Sequence, residues 1–91
     1  MKETIDSDIL HKRVRRIIGQ LNGVERMIDA DAPCADILIQ LNSAKKSLHK
    51  TGQAVLEAHI NKCVIDAVEH RNTSKAIGAF AAALEQFSRM A

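Results

Sequence analysis

The sequence predicts an all-α protein, and three observations support this fold class. The 91-residue chain contains only one proline and four glycines, so few positions interrupt a helix. No segment shows the apolar and polar alternation that is typical of a half-buried strand. Apolar residues instead recur every three or four positions, which is the period of an amphipathic helix. We therefore expect a single domain, residues 1–91, built from three helices.

The first helix is predicted to begin near Asp6 or Ser7, because either side chain can cap the free N–H groups of a helix start. It is predicted to end at about Ala30. Its apolar positions are spaced four and three residues apart, which is a heptad pattern. They are Leu10, Val14, Ile17, Leu21, Val24 and Ile28. Pro33 suits the first position of the next helix, since proline lacks the N–H that this position leaves unused.

The second helix is predicted to continue from Pro33 to about His70, over 30 residues and roughly 50 Å at 1.5 Å per residue. One side of it carries a seam of mostly apolar residues, consisting of Ile37, Leu41, Ala44, Leu48, Gly52, Val55, His59 and Cys63. Polar residues 71–74 then break the pattern. A short third helix is outlined by Ile77, Phe80, Ala81, Leu84 and Phe87.

A helix as long as the second cannot be covered by the rest of a 91-residue chain. Two chains packed side by side can cover it, because their helices together form a four-helix bundle. We therefore expect an obligate homo-oligomer, with an antiparallel four-helix-bundle dimer as its unit.

The composition argues against several functional classes. Aromatic residues make up only 2% of the chain, which argues against the stacking surfaces that bind single-stranded nucleic acid. The longest apolar run, Ala76–Leu84, is nine residues, whereas a membrane-spanning helix needs about 20. The N-terminal residues lack the pattern of a signal peptide, so we expect a cytoplasmic protein with reduced cysteines. No nucleophile with a partner base is apparent, so we do not expect an enzyme.

Positive charge is concentrated in two segments, although the net charge is only +2. On the first helix, five basic residues fall on one arc at about 100° per residue. This basic arc consists of Lys12, Arg13, Arg15, Arg16 and Arg26. The second basic segment consists of Lys45, Lys46 and Lys50, with His49 among them. Either set can be an ordinary solvated surface or can bind the phosphates of DNA.

Cys34, His59 and Cys63 share one side of the predicted second helix. His59 and Cys63 are four residues apart and can bind one metal ion, but Cys34 is roughly 37 Å away along the helix. Antiparallel packing of two copies brings Cys34 of one copy beside His59 and Cys63 of the other. Two thiolates and one imidazole form a soft ligand set that suits Cu(I). The same residues can instead be buried core residues, or the cysteines can form a sulfur bridge.

The chain resembles the copper-sensitive operon repressor family, also called the CsoR/RcnR/FrmR family, from about Leu10 to Phe87. Residues 13–23, with the sequence RVRRIIGQLNG, resemble the first-helix signature of the family. Residues 34–41 and 56–64, with the sequences CADILIQL and LEAHINKCV, resemble its sensing helix. The resemblance implies a dimer of antiparallel bundles that assembles into a tetramer.

By this resemblance, Cys34, His59 and Cys63 occupy the inducer-binding positions, with Cu(I) as the inducer. The basic residues implied in binding double-stranded operator DNA are Arg13, Arg15, Arg16, Lys45, Lys46 and Lys50. The expected function is a repressor that binds its operator without ligand and is released by Cu(I) at the dimer interface. An alternative is the same repressor sensing a persulfide through its two cysteines, or formaldehyde. A rival of another class is a protein that buffers or delivers copper.

Overall fold

The computed structural model of the protein contains three α-helices and describes residues 7–70 and 73–90. Helix α1 spans Ser7–Asp29, α2 spans Cys34–His70 and α3 spans Thr73–Ser88. These bounds confirm the all-α prediction and the three predicted helices. The alternative cap Asp6 and the first two residues of the predicted break, 71–72, lie outside the described residues. So do five side chains within the helices, namely those of Cys63, Asp66, Ala67, His70 and Thr73.

A tight turn joins α1 to α2 and satisfies the last carbonyls of α1. Asp31 takes a left-handed conformation, with φ of 53°, and its N–H donates to the Ile28 carbonyl at 3.1 Å. The N–H of Ala32 reaches back to the Met27 carbonyl at 2.9 Å. These two bonds form a Schellman motif, in which glycine usually holds the left-handed position. The turn reverses the chain within four residues, so α2 runs back antiparallel to α1.

Pro33 lies just before α2, whereas the sequence predicted it as the first residue of that helix. Its carbonyl accepts hydrogen bonds from the N–H groups of Asp36 and Ile37 at 3.0 and 3.2 Å. Pro33 therefore caps α2 from just outside the helix, and Cys34 is the first helical residue. Proline fits here because a residue before a helix also needs no N–H for the helical ladder.

Helix α2 is the centre of the fold, and α1 and α3 both pack on it. The backbones of α1 and α3 do not come within 8 Å of each other in the described part of the chain. The molecule measures 57 × 25 × 12 Å, so it is a single layer of helices. The long dimension is that of α2, whose 37 residues span about 55 Å. A layer of this kind has two broad faces and only a small interior.

The buried core is correspondingly small. Among the described residues, the buried apolar side chains are Ile17 and Val24 of α1 and Ala44 and Ala58 of α2. The alanines allow the neighbouring helices to approach α2 closely. No helix in the described ranges is both long and apolar enough to cross a membrane.

The end of α3 packs on α2 at Gly52. A Cβ atom added to Gly52 would lie 2.8 Å from Sδ of Met90 and 3.5 Å from Cδ1 of Phe87. Glycine therefore permits the last turn of α3 to lie against the backbone of α2. This contact fixes the position of α3 along α2.

Candidate functional site

An apolar groove of about 520 Å³ runs along one broad face of the layer. Its floor is α2, and its two walls are α1 and α3. The α2 residues that line it are Leu48, Thr51, Gly52, Val55, Leu56 and His59. The walls are formed by Val14, Ile17 and Ile18 of α1, by Ala83, Gln86 and Phe87 of α3, and by Met90 just after α3. The floor contains four residues of the seam that the sequence predicted.

His59 is the one titratable residue among those that line the apolar groove in the described part of the chain. It is half-buried on α2. Its imidazole therefore brings two nitrogens that can hold a metal or a proton to a surface that is otherwise nearly all apolar. The groove is a suitable place for a ligand that needs few polar partners and an interface that excludes water.

The three predicted sensing residues lie on one continuous helix. Cys34 is the exposed first residue of α2, with a free thiol. Cys63 lies one turn after His59, although its side chain falls outside the description. In helical register at 100° per residue, all three positions fall within about 40° of one another, on the side of the groove floor.

Cys34 and His59 do not meet within one chain. Because α2 is unbroken, 25 residues separate them by roughly 37 Å. No group of three histidine, cysteine or acidic side chains comes together in the part of the molecule that is described. A site that uses all three residues therefore needs a second copy of the chain.

The basic arc of α1 is exposed, although in helical register Arg13 falls on the side of the buried Ile17 and Val24. Its five members, Lys12, Arg13, Arg15, Arg16 and Arg26, are all exposed. In helical register, Lys12 and Arg16 lie roughly opposite the groove-facing flank that carries Val14 and Ile18. Space for a close approach exists here, since a Cβ added to Gly19 would meet nothing within 4 Å.

The second basic segment is also exposed and lies beside the end of α3. Lys45, Lys46 and Lys50 line a depression of about 380 Å³ that Met90 closes at one edge. Lys46 and Lys50 lie on the side of α2 away from the apolar groove, whereas Lys45 is about 100° further round the helix. None of the three forms an ion pair within the described residues. Their charges are therefore available to an anionic partner.

His49 is more buried than its place in a basic segment suggested, and it packs against another helix. The sequence placed it only among the lysines of the second basic segment. His49, however, is half-buried, and its ring centroid lies 5.0 Å from that of Phe87 at an angle of 35°. This contact joins residues on different helices, so no local sequence pattern could indicate it.

Comparison with known proteins places this arrangement among transcriptional regulators. Residues 6–88 match the family described as metal-sensitive transcriptional repressor. The chain is 28% identical over 88 residues to the copper-sensing transcriptional repressor CsoR of Bacillus subtilis (strain 168), covering 97% of this chain and 87% of the relative.

Two solved structures share the three-helix arrangement. The nickel-responsive transcriptional regulator InrS superposes with a TM-score of 0.85 at 27% identity, covering 92% of this chain and 94% of that one. The copper-sensing repressor CsoR with Cu(I) from Geobacillus thermodenitrificans NG80-2 gives a TM-score of 0.80 at 30% identity, with coverages of 92% and 90%. The backbone is thus shared by regulators whose names give different metals, and the ligand set must distinguish between them.

Proposed function

This chain belongs to the family of metal-sensitive transcriptional repressors, and we propose that it responds to copper. Two copies pair through their apolar grooves and bind operator DNA through their basic surfaces. Cu(I) bound between the copies releases the DNA. As a DNA-binding repressor, the protein would act in the cytoplasm.

The exposed apolar surface supports pairing of two copies. A compact 10.0 kDa protein exposes roughly 5,200 Å², whereas this chain exposes 6810 Å². Large apolar side chains on the groove face contribute to the excess, among them Val14, Ile18, Leu48 and Val55. Pairing of two such faces buries this surface and completes a four-helix bundle. The tetramer that the family resemblance implies is a pair of these dimers.

The residues of α2 fit a copper site in that dimer. A twofold axis near Leu48 pairs antiparallel copies of α2, so that Cys34 of one copy approaches His59 and Cys63 of a second copy. Cu(I), when bound, supplies bonds to sulfur and nitrogen that link the two copies. Two equivalent sites result, since a twofold interface repeats every contact.

The ligand set favours Cu(I) over other metals. Two cysteines supply soft thiolates and His59 supplies an imidazole, a set of three donors that Cu(I) accepts. Zinc ordinarily takes a fourth ligand. The relative from Bacillus subtilis and the structure from Geobacillus carry copper in their names, which supports the same choice. This ligand set is the observation that carries the proposal.

DNA binding is assigned to the basic arc and the second basic segment. The residues with this role are Arg13, Arg15, Arg16, Lys45, Lys46 and Lys50. All six are exposed, and none forms an ion pair with another described residue. Each contact with a phosphate releases counterions, so affinity falls steeply as salt rises.

Release of DNA follows from linkage between the two sites. Ligand can weaken DNA binding only through a higher affinity for the protein state that binds DNA poorly. Cys34 and His59 lie far apart on α2, so joining them across two copies constrains how the two copies pack. The basic surfaces are carried by the same helices, and their spacing on DNA changes with that packing.

A mixing experiment tests the site that is shared between copies. Operator DNA is first isolated from genomic fragments by in vitro selection with the metal-free protein. Anaerobic Cu(I) titrations then follow release of labelled operator by fluorescence anisotropy. We expect Cys34→Ala and His59→Ala to bind operator but to resist release by copper.

Mixing the two variants distinguishes an intersubunit site from an intrachain site. A mixed dimer contains one intact site, formed by Cys34 of the His59→Ala copy and His59 of the Cys34→Ala copy. Random pairing therefore restores about a quarter of the wild-type sites in a twofold dimer. If mixing restores no tight Cu(I) binding, the intersubunit site is wrong. Release of DNA by a persulfide from the wild type and from His59→Ala but not from Cys34→Ala, with no response of the wild type to Cu(I), would instead favour sulfur sensing.

A further inference from the structure

The depression beside the end of α3 contains more than the three lysines predicted from the sequence. Three further polar side chains also line it, those of Asn42, His49 and Gln53. Each can donate an N–H hydrogen bond. His49 is the best positioned of the three, because its ring packs against Phe87.

The chemistry of this depression fits an anion. Three ammonium groups and three N–H donors line it, and no carboxylate does so among the described residues. Charged and neutral donors together are typical of sites for DNA phosphates, where lysines supply charge and amide or backbone N–H groups set the position. Its volume of about 380 Å³ accommodates one phosphodiester group with neighbouring sugar atoms.

The location favours a phosphate within a DNA duplex over a free phosphate ion. Lys46 and Lys50 lie on the side of α2 away from the apolar groove, as do Lys12 and Arg16 on α1. The depression is therefore one part of a longer basic surface. A polyanion can contact all of that surface at once, whereas a free ion contacts only one part of it.

We propose that this depression, the phosphate pocket, receives a backbone phosphate of the operator and that His49 donates a hydrogen bond to it. The ring of Phe87 positions His49 for this contact. The inference rests on the proposed function, since it concerns the same DNA complex, and it adds His49, Asn42 and Gln53 to the residues that touch DNA.

The test compares His49→Ala with His49→Gln, which keeps an N–H donor. His11→Ala is the matched control, because His11 is an exposed histidine of α1 outside the pocket. Fluorescence anisotropy measures the affinity of each metal-free protein for the operator and for a scrambled duplex. Loss of a hydrogen bond to a phosphate is expected to weaken binding about tenfold.

We expect His49→Ala to weaken binding to both duplexes by the same factor, because a phosphate contact carries no sequence information. His49→Gln is expected to recover most of the affinity, and His11→Ala to retain all of it. Wild-type affinity in His49→Ala would overturn the inference, as would equal losses in His49→Ala and His49→Gln.

Two further measurements complete the test. The first distinguishes a DNA phosphate from a free phosphate ion, and the second distinguishes failure of this inference from failure of the proposed function. If inorganic phosphate binds the protein and His49→Ala abolishes that binding while leaving the affinity for DNA unchanged, the pocket binds free phosphate and the inference is wrong. Lys50→Ala tests the proposed function in the same assay and should reduce the salt dependence by about one phosphate contact. Loss of affinity in Lys50→Ala with none in His49→Ala refutes only the role of His49. Absence of operator binding by the wild type refutes the proposed function itself.

Discussion

Replacing Leu48 with alanine should weaken the dimer, because Leu48 lies on the floor of the apolar groove close to the proposed twofold axis. In one copy its side chain is 46% exposed. Full burial of a leucine side chain contributes about 1.5–3 kcal/mol, so covering the exposed part contributes about 1 kcal/mol per copy. The two copies together contribute about 2 kcal/mol to pairing. The dissociation constant of the dimer should therefore rise roughly 30-fold in Leu48→Ala.

The buried part of Leu48 does not enter this difference. Its contacts within one copy are present in both the monomer and the dimer, so their loss changes the stability of both alike. An empty volume left at the interface adds a further cost, because packed surroundings relax only partly around a missing side chain. The dissociation constant of the dimer should therefore rise at least about 30-fold.

Sedimentation equilibrium of fluorescently labelled protein, from nanomolar to micromolar concentrations, measures this constant. Ile39→Ala is the matched control, since Ile39 is 61% exposed and lies about 180° from Leu48 around α2. We expect Ile39→Ala to retain the dimer constant within about twofold. Equal effects of the two substitutions, or none for Leu48→Ala, would refute pairing through the apolar groove.

Four other substitutions test local features of the structure. Gly19→Ala should stabilise the protein by about 0.5–1 kcal/mol in urea unfolding, because alanine favours a helix and the added Cβ meets no atom within 4 Å. Gly52→Ala should stabilise the protein less, since its Cβ would displace Met90. Equal stabilisation by the two substitutions would contradict the described packing. Asp31→Gly should raise the unfolding midpoint because φ at this residue is 53°, and a lower midpoint would contradict the left-handed turn. Phe87→Leu should weaken DNA binding while leaving the salt dependence unchanged, because it removes the ring that positions the imidazole of the phosphate pocket; unaltered affinity would argue against that positioning.

The sequence predicted the helices well because each leaves a local periodic signal. The heptad pattern of α1 and the long seam of α2 depend only on residues three and four apart, and α2 indeed continues unbroken to His70. The incomplete core could also be anticipated, since no 91-residue chain covers a helix of about 55 Å. The sequence placed Pro33 inside α2 instead of just before it because neither position needs a backbone N–H for the helix, so proline suits both.

The position of α3 and the surroundings of His49 could not be predicted in the same way. Both depend on contacts between α2 and the end of α3, which are more than 30 residues apart along the chain. One signal was available: Gly52 interrupts the seam of α2, and a glycine within a helix often marks a close approach of another backbone. That signal indicates that a helix approaches, but it does not identify which one.

The single-layer shape bears directly on how copper and DNA can affect each other. The apolar groove and the basic residues Lys12, Arg16, Lys46 and Lys50 lie on opposite sides of α1 and α2, within a layer only 12 Å thick. The buried core can therefore absorb little of a change in helix packing at the groove, because it is small. Phe87 provides a physical connection, since it lines the apolar groove and also contacts His49 in the phosphate pocket. A ligand that repacks the groove thus acts on side chains that are one contact away from the DNA-binding surface.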